Sequence, residues 1–511
     1  MNASPAQPRF RSRPRGAAPV QVVVVGGGIS GLAAAWFLTG GAERGETEEA
    51  RGGTAGDRPL SVTVLEATAR LGGKLYADEI AGVPVDLGAE SILATRTEAV
   101  ELARAVGLEP DLEPPATTEA KVWTRDALRP LPGGQVMGVP GDLGALVSSG
   151  LLSPRGLARL SLDRALPPTP VREDVSVGDY VSARLGREIV DRLVDPLLGG
   201  VYAGDAYRIS LRAAMPKLYQ ELRARRSLTG AVRRLRRSGP PRTGPVFTGV
   251  RGGVGRLPLA VADACRGAGV EIQTETRVSD LRRLGSRWQL VAEGPKGRQV
   301  REVDAVVLAV PAPAAAELLR VEAPQAAAEL AGVEYASMAL VTMAFRRRDV
   351  AGLPEGSGFL VPAVDGRAIK ASTFASRKWG WISDAGKDTF VLRTSVGRYG
   401  ETAHLDREDT DLVRLSRADL AEAAGLRAAP VAARVTRWND GLPQYAVGHV
   451  DRVERVQAEV AKLPGLGVCG AVYDGVGIPA CVGSARRAVD GLLDGVNPAR
   501  AGLGGGETMR S

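Results

Sequence analysis

The chain has 511 residues, 44% of them hydrophobic, and a formal net charge of +8. That length supports two or three domains with a sizeable core. Cys265, Cys469 and Cys481 have no metal or redox spacing, which argues against a disulfide framework and points to a reducing cytoplasm. The arginine excess reads as a basic composition rather than a nucleic-acid footprint.

Residues 1–19 carry arginines and prolines but no apolar segment, so they read as a disordered tail and not as a secretory signal. Five valines in the six residues Val20–Val25 suit a strand buried on both faces of a parallel sheet. Gly26, Gly28 and Gly31 follow at GxGxxG spacing, then the helix-forming run LAAAWFL. Strand, glycine turn and helix together suit a dinucleotide pyrophosphate: Gly26 for the turn, Gly28 for close approach, Gly31 for helix packing. The phosphates would meet the free N–H groups of the helix start. Ser61–Leu65 predicts a second strand ending at Glu66, placed to accept hydrogen bonds from ribose hydroxyls. The alternative for Glu66 is a solvent-facing carboxylate. The gap between the two motifs is long because residues 40–59 form a polar, Gly-rich insert, read as a surface loop or hairpin.

Arg70, Gly72, Gly73 and Lys74 make a basic turn able to wrap the same phosphates. Residues 86–91 (DLGAES) put a second glycine loop beside the first, and Glu98–Val106 predicts a helix ending at Gly107. Residues 112–140 are mixed and Pro-rich, and 141–237 are mainly helical. There Ser176 is an N-cap with Asp179 at the capping-box position. The arginine run 223–242 reads as a solvated face, or else as a contact for an acidic partner or membrane. A glycine turn at 250–255 precedes a helix over Pro258–Ala268. Short strands follow at Val270–Thr274 and Val278–Leu281, and a buried strand at Val303–Val310. Residues 325–435 alternate strands and loops. Gly467–Ala471 leads to YDGVGIPACVGSARRAVDGLL, a glycine turn into a C-terminal helix.

GGGISG, LEATARLGGK, DPLLGGVYAGD (195–205), VRGGVGRLP (250–258), LPQYAVGH (442–449) and YDGVGIPA (473–480), in this order, resemble the flavin-dependent porphyrinogen oxidases. This is the coproporphyrinogen III and protoporphyrinogen IX oxidase family of the amine-oxidase-like FAD superfamily. The resemblance runs from about Val20 to Asp494. It implies an α/β fold: a Rossmann-like FAD-binding domain with an inserted α+β substrate domain and a helical domain. The expected division is 20–110, 245–325 and 432–496 for the FAD domain, 111–140 and 326–431 for the substrate domain, and 141–244 for the helical domain, with tails at 1–19 and 497–511.

The resemblance also assigns residues. FAD, held non-covalently, is expected on Gly26, Gly27, Gly28, Ile29, Ser30, Gly31, Glu66, Ala67 and Lys74. Gly88, Ala89, Glu90 and Ser91 fall beside the isoalloxazine, although the family often has Pro where this chain has Ala89. Val278, Trp438, Val476, Gly477 and Ile478 complete the set. The flavin takes hydride from a bridging carbon of the porphyrinogen, so no side chain is expected to be catalytic. His449 is read as structural. Arg96 is the candidate propionate anchor, with a surface arginine as its alternative; Tyr445 lines the pocket or packs in the core. The implied reaction is oxidation of coproporphyrinogen III in heme biosynthesis, with O2 as acceptor and H2O2 as product, and protoporphyrinogen IX is the competing substrate. An amine oxidase, a desaturase and a carrier that has lost its flavin are the other readings. The implied partners are a porphyrinogen and O2, no nucleic acid, and transient contact with downstream heme-pathway enzymes or a membrane surface.

Overall fold

The computed structural model describes residues 18–41, 54, 55, 58–167, 169, 173–223, 227–238 and 244–496. The expected N-terminal tail before Ala18, most of the 40–59 insert, parts of the arginine run and the tail after Val496 lie outside the described residues.

Five strands form one parallel sheet. They are β1 (Val20–Val25), β2 (Arg58–Leu65), β3 (Glu271–Gln273), β4 (Ala305–Leu308) and β5 (Leu466–Val468), in the spatial order β3-β2-β1-β4-β5. Thr54–Ala55 adds an antiparallel pair at the β2 edge. The valine run of β1 sits in the middle, where neither face meets water. Val20, Val22 and Val24 pack with helix α1 (Ile29–Leu38), the helix Arg256–Gly267 and the C-terminal helix α2 (Ile478–Val496). Val23 and Val25 pack on the other face, against the helices Ala312–Leu319, Pro324–Ala331 and His449–Val460 and the antiparallel strands over 277–303. Period-2 burial on both faces explains why β1 shows no polar alternation.

A second sheet has seven strands in the order Ala432–Pro443, Tyr335–Arg346, Thr389–Val396, Ile369–Thr373, Gly358–Leu360, Lys121–Thr124 and Ala127–Pro130. One face carries Val341, Met343, Phe345 and Leu392 onto the helix Asp409–Ala424. The other face carries Ala344 and Val391 onto the hairpin Ala77–Asp86 and the short helices Ala375–Lys378 and Gly380–Ala385. The described residues between 143 and 238 form a helical body around Val177, Leu193, Leu198 and Leu228. Ser176 caps the helix Val177–Leu185 by accepting from Asp179 N–H at 3.0 Å.

Three expected boundaries shift. Ala432–Pro443 belongs to the seven-stranded sheet, not to the FAD domain, because it pairs with Tyr335–Arg346 along almost its whole length. The hairpin Gln135–Val136/Val139–Pro140 leaves the substrate domain, since Val139 is buried in the helical core. The strand expected over 303–310 is only Ala305–Leu308. Val303 ends an antiparallel strand, and Asp304 breaks the run by bonding both backbone and side chain to Gln21.

Candidate functional site

The glycine turn joins β1 to α1, and each glycine has its own reason. Gly26 has φ +108°, a conformation that side chains avoid, and a Cβ there would lie 2.5 Å from Ala309 O. A Cβ on Gly31 would lie 1.9 Å from Gly26 O, so only glycine lets α1 start this close to the strand. Gly28 is different: a Cβ there would meet nothing nearer than Gly73 Cα at 4.0 Å. The space above Gly28 is an open cradle at a helix N-terminus with no side-chain cap. Gly28 bridges to Gly72, and Gly72 N–H donates to Gly27 O at 2.9 Å, which brings the two glycine turns together.

Glu66 closes one side. Its carboxylate accepts from Gly27 N–H at 2.6 Å and from Thr68 N–H at 2.8 Å. The Thr68 hydroxyl also donates to it at 2.7 Å; a carboxylate offers about four acceptor sites, so capacity for a further hydroxyl donor remains, chiefly on the oxygen that Gly27 holds. Ala67 beside it is exposed. Thr276 N–H donates to Glu66 O at 2.8 Å, which sets the strand containing Val278 next to this end of the turn. Arg70 is spent on the turn itself, donating to Leu71 O at 3.0 Å and to Gly73 O. Lys74 is not: among the described residues it has no ion-pair partner, and burial lowers its pKa.

The second loop, Asp86–Ser91, is clamped from the seven-stranded sheet. Arg393 donates to Asp86 O at 2.7 Å and Gly88 O at 3.0 Å, and pairs with Glu90 at 2.5 Å. Lys378 holds the other Glu90 oxygen at 2.5 Å. Burial pushes the Glu90 carboxyl up, but Arg393 and Lys378 together outweigh it and hold it at about 2. Asp86 accepts from Val254 and Gly255 N–H at 2.9 and 3.1 Å, yet burial still raises its pKa to about 7. Trp438 donates its indole N–H to Leu87 O at 3.0 Å and lies against Gly88. Ala89 is exposed at the loop tip, its N–H donating to Lys74 O at 3.2 Å.

The third loop starts α2. Gly475 has φ +133°, Val476 packs toward the helical core, and Gly477 O accepts from Cys481 N–H at 3.0 Å. Ile478, Ile29 and Ser30 are buried at the junction of α1 and α2. Tyr445 is 3% exposed and donates its hydroxyl to Ala471 O, and its ring stacks on His449 at 4.1 Å. His449 donates from Nε2 to Val472 O at 2.8 Å. The PQYAVGH segment is thereby tied to the YDGVGIP turn. Arg96 is 40% exposed and pairs with Glu98 at 2.5 Å.

The fold therefore brings three glycine loops, Glu66, Lys74, Trp438 and the start of α2 around one region. Asp86, Lys378 and Arg393, absent from the sequence-based set, hold it together. Arg393 is a lone charge inside an apolar strand, TFVLRTSV, and that is the signal that marks it. An ADP-bearing flavin fits this donor set: an open cradle at Gly28, an uncapped helix start and an unpaired ammonium at Lys74 all suit a pyrophosphate.

The sequence profile described as flavin containing amine oxidoreductase matches residues 29–493. A coproporphyrinogen III oxidase of Mycobacterium bovis is 36% identical over 94% of this chain and 98% of its own length. One from Bacillus subtilis is 32% identical over 92% and 97%. A solved structure from Exiguobacterium sp. 255-15, assigned provisionally as a protoporphyrinogen oxidase, is 32% identical. It covers 93% of this chain and 98% of its own, with a TM-score of 0.78. Cyclohexylamine oxidase from Brevibacterium oxydans, 18% identical over 93% and 99%, shares the fold with a TM-score of 0.65. The chain thus belongs to the flavin containing amine oxidoreductase family and, within it, to the porphyrinogen oxidases.

Proposed function

We propose that this protein oxidises coproporphyrinogen III to coproporphyrin III in heme biosynthesis, with non-covalent FAD and with O2 as the acceptor that yields H2O2. The observation that carries this reading is the end-to-end match to relatives named coproporphyrinogen III oxidase, at 32–36% identity. When bound, the flavin supplies two-electron redox chemistry, and about three such cycles convert the macrocycle to the aromatic porphyrin.

The chain's own residues bind and orient. Gly28, Gly31 and the start of α1 would hold the pyrophosphate, Glu66 the ribose and Lys74 a neighbouring negative charge. Val278 would offer backbone to the adenine. The Asp86–Ser91 loop, Trp438 and the Val476–Ile478 turn would frame the ring, with the α2 N-terminus favouring negative charge beside it. Arg96 is a candidate anchor for one propionate, in competition with Glu98. Tyr445 supports the pocket wall from behind through its bond to Ala471 O. Non-covalent binding is supported by Cys481, which lies beyond the turn, buried, with its thiol 3.8 Å from Gly475 O.

The choice of the tetracarboxylate over protoporphyrinogen IX is supported by the helical body. Leu151, Leu152 and Leu160 face its core, and Arg159 donates to Ala183 O and Arg184 O. Among the described residues no helix is long and apolar enough to cross a membrane. The test is turnover of anaerobic porphyrinogen on admitting air, with porphyrin fluorescence and peroxide followed together. Acid precipitation of the same protein should leave all yellow colour in the supernatant. Porphyrin formed without peroxide would remove O2 as the acceptor, and colour in the pellet would remove the non-covalent reading.

A further inference from the structure

Lys370 is a charged group for which neither the cofactor cradle nor the loop clamp has a use. It sits in the strand Ile369–Thr373 of the seven-stranded sheet. The register with Thr389–Val396 shifts there: Ile369 faces Val396, while Ala371 faces Ser395. A bulge of this kind re-aims a side chain. Ile369 packs with Leu412 and Leu420 on the face covered by Asp409–Ala424. Lys370 goes to the other face, where its Nζ lies 4.0 Å from Met338 Sδ. Met338 is the cross-strand partner of Trp438, whose indole holds Leu87. Arg393, the register partner of Thr373 three residues along, points from the same face to Glu90. The Lys370 ammonium is therefore on the sheet face that meets the flavin loop.

The side chain is only 7% exposed, and the Met338 sulfur is its one hydrogen-bond partner among the described residues. Burial, with Arg398 adding to it, lowers its pKa to about 7. Glu401 acts on it from a distance and only partly offsets this, and a buried charge with no anion in direct contact is a cost to the fold unless a ligand supplies the partner. A helix without side chains at two positions packs close by. Leu360 pairs with Ala371, and the helix Asp195–Tyr202 meets Leu360 through Gly200, where a Cβ would still be 4.0 Å away. At Gly199 the nearest atom to a Cβ is 3.8 Å off. The backbone of this helix thus packs in ordinary contact beside the strands next to Lys370.

We propose that Lys370 is a carboxylate anchor for the porphyrinogen, taking one propionate on the sheet side of the site. This rests on the porphyrinogen activity proposed above. Arg96 already has Glu98 and is 40% exposed, whereas Lys370 has no ion pair among the described residues and little water, so Lys370 has more to gain from a propionate.

The test is Lys370→Met, which keeps length and removes charge. Binding of coproporphyrin III and of its tetramethyl ester is titrated by fluorescence on flavin-loaded wild type and variant. The tetra-acid should bind about tenfold to a hundredfold more weakly to the variant, the ester within about twofold of wild type. KM for coproporphyrinogen III should rise in step. Flavin content should hold, and the unfolding temperature should stay level or rise, because an unpaired buried charge has been removed. Equal losses for acid and ester, an unchanged acid affinity, or a variant that fails to fold or loses flavin would overturn the anchor. A wild type that turns over no porphyrinogen would sink the functional reading itself, a result distinct from any of these.

Discussion

Gly28 and Gly31 are three residues apart and predict opposite failures. A side chain at Gly28 points into the open cradle, so Gly28→Val should fold with wild-type stability and purify without flavin colour. A side chain at Gly31 strikes Gly26 O, so Gly31→Val should lower stability by roughly 1–3 kcal/mol or more, as overpacking does. Flavin absorbance and thermal unfolding on the two variants check this, and equal behaviour of the pair would contradict it. His449 gives a pH signature. Burial lowers its pKa to about 4, against about 6.5 in the unfolded chain. The unfolded chain binds the proton first, so this contribution is present above pH ~6.5 and is lost as pH falls toward about 4. The stability difference between wild type and His449→Gln should shrink by about 2 kcal/mol between pH ~7.5 and ~5 in denaturant melts. A constant difference would place the ring in a wetter setting. The glycines and Glu66 were legible in the sequence because their chemistry depends on local spacing. Lys370 and Arg393 were not, because the meaning of a charge in a strand depends on which face the register gives it.

The strand Thr389–Val396 shows the same limit for a whole element. Its odd positions Val391, Arg393 and Ser395 face the Asp86–Ser91 loop, while Leu392 and Val396 face the helix Asp409–Ala424. The motif resemblance placed Glu90 at the flavin. The fold gives it Lys378 and Arg393 as well, partners 288 and 303 residues away. No spacing rule reaches that far. Glu90→Gln would leave two buried cations facing a neutral amide, which costs roughly 3–5 kcal/mol when one partner of a buried pair is removed. The unfolding temperature should fall and flavin should be held less tightly. Unchanged unfolding would mean that the cluster is wetter than its burial indicates. In contrast, β1, α1 and the Ser176 cap were readable, since hydrophobic period and capping chemistry act within a few residues.

For the whole molecule, the interrupted sheet was legible because its central strands, Val20–Val25 and Ala305–Leu308, are short apolar runs that no hairpin could satisfy. The strand Ala432–Pro443 was misplaced because an alternating strand reads the same in either sheet; only its pairing with Tyr335–Arg346 decides. The helical body keeps most of its leucines inward. Among its described residues the exposed large apolar side chains are Val147, Leu162 and Val201. Together with the anchors proposed at Lys370 and Arg96, this favours a substrate with more charge, not less. The most direct measurement is kcat/KM for coproporphyrinogen III and protoporphyrinogen IX on one flavin-loaded preparation, with both started anaerobically and opened to air. The account predicts the higher kcat/KM for coproporphyrinogen III, with coproporphyrin III as the fluorescent product. A clear preference for protoporphyrinogen IX, or oxidation of neither, would contradict it.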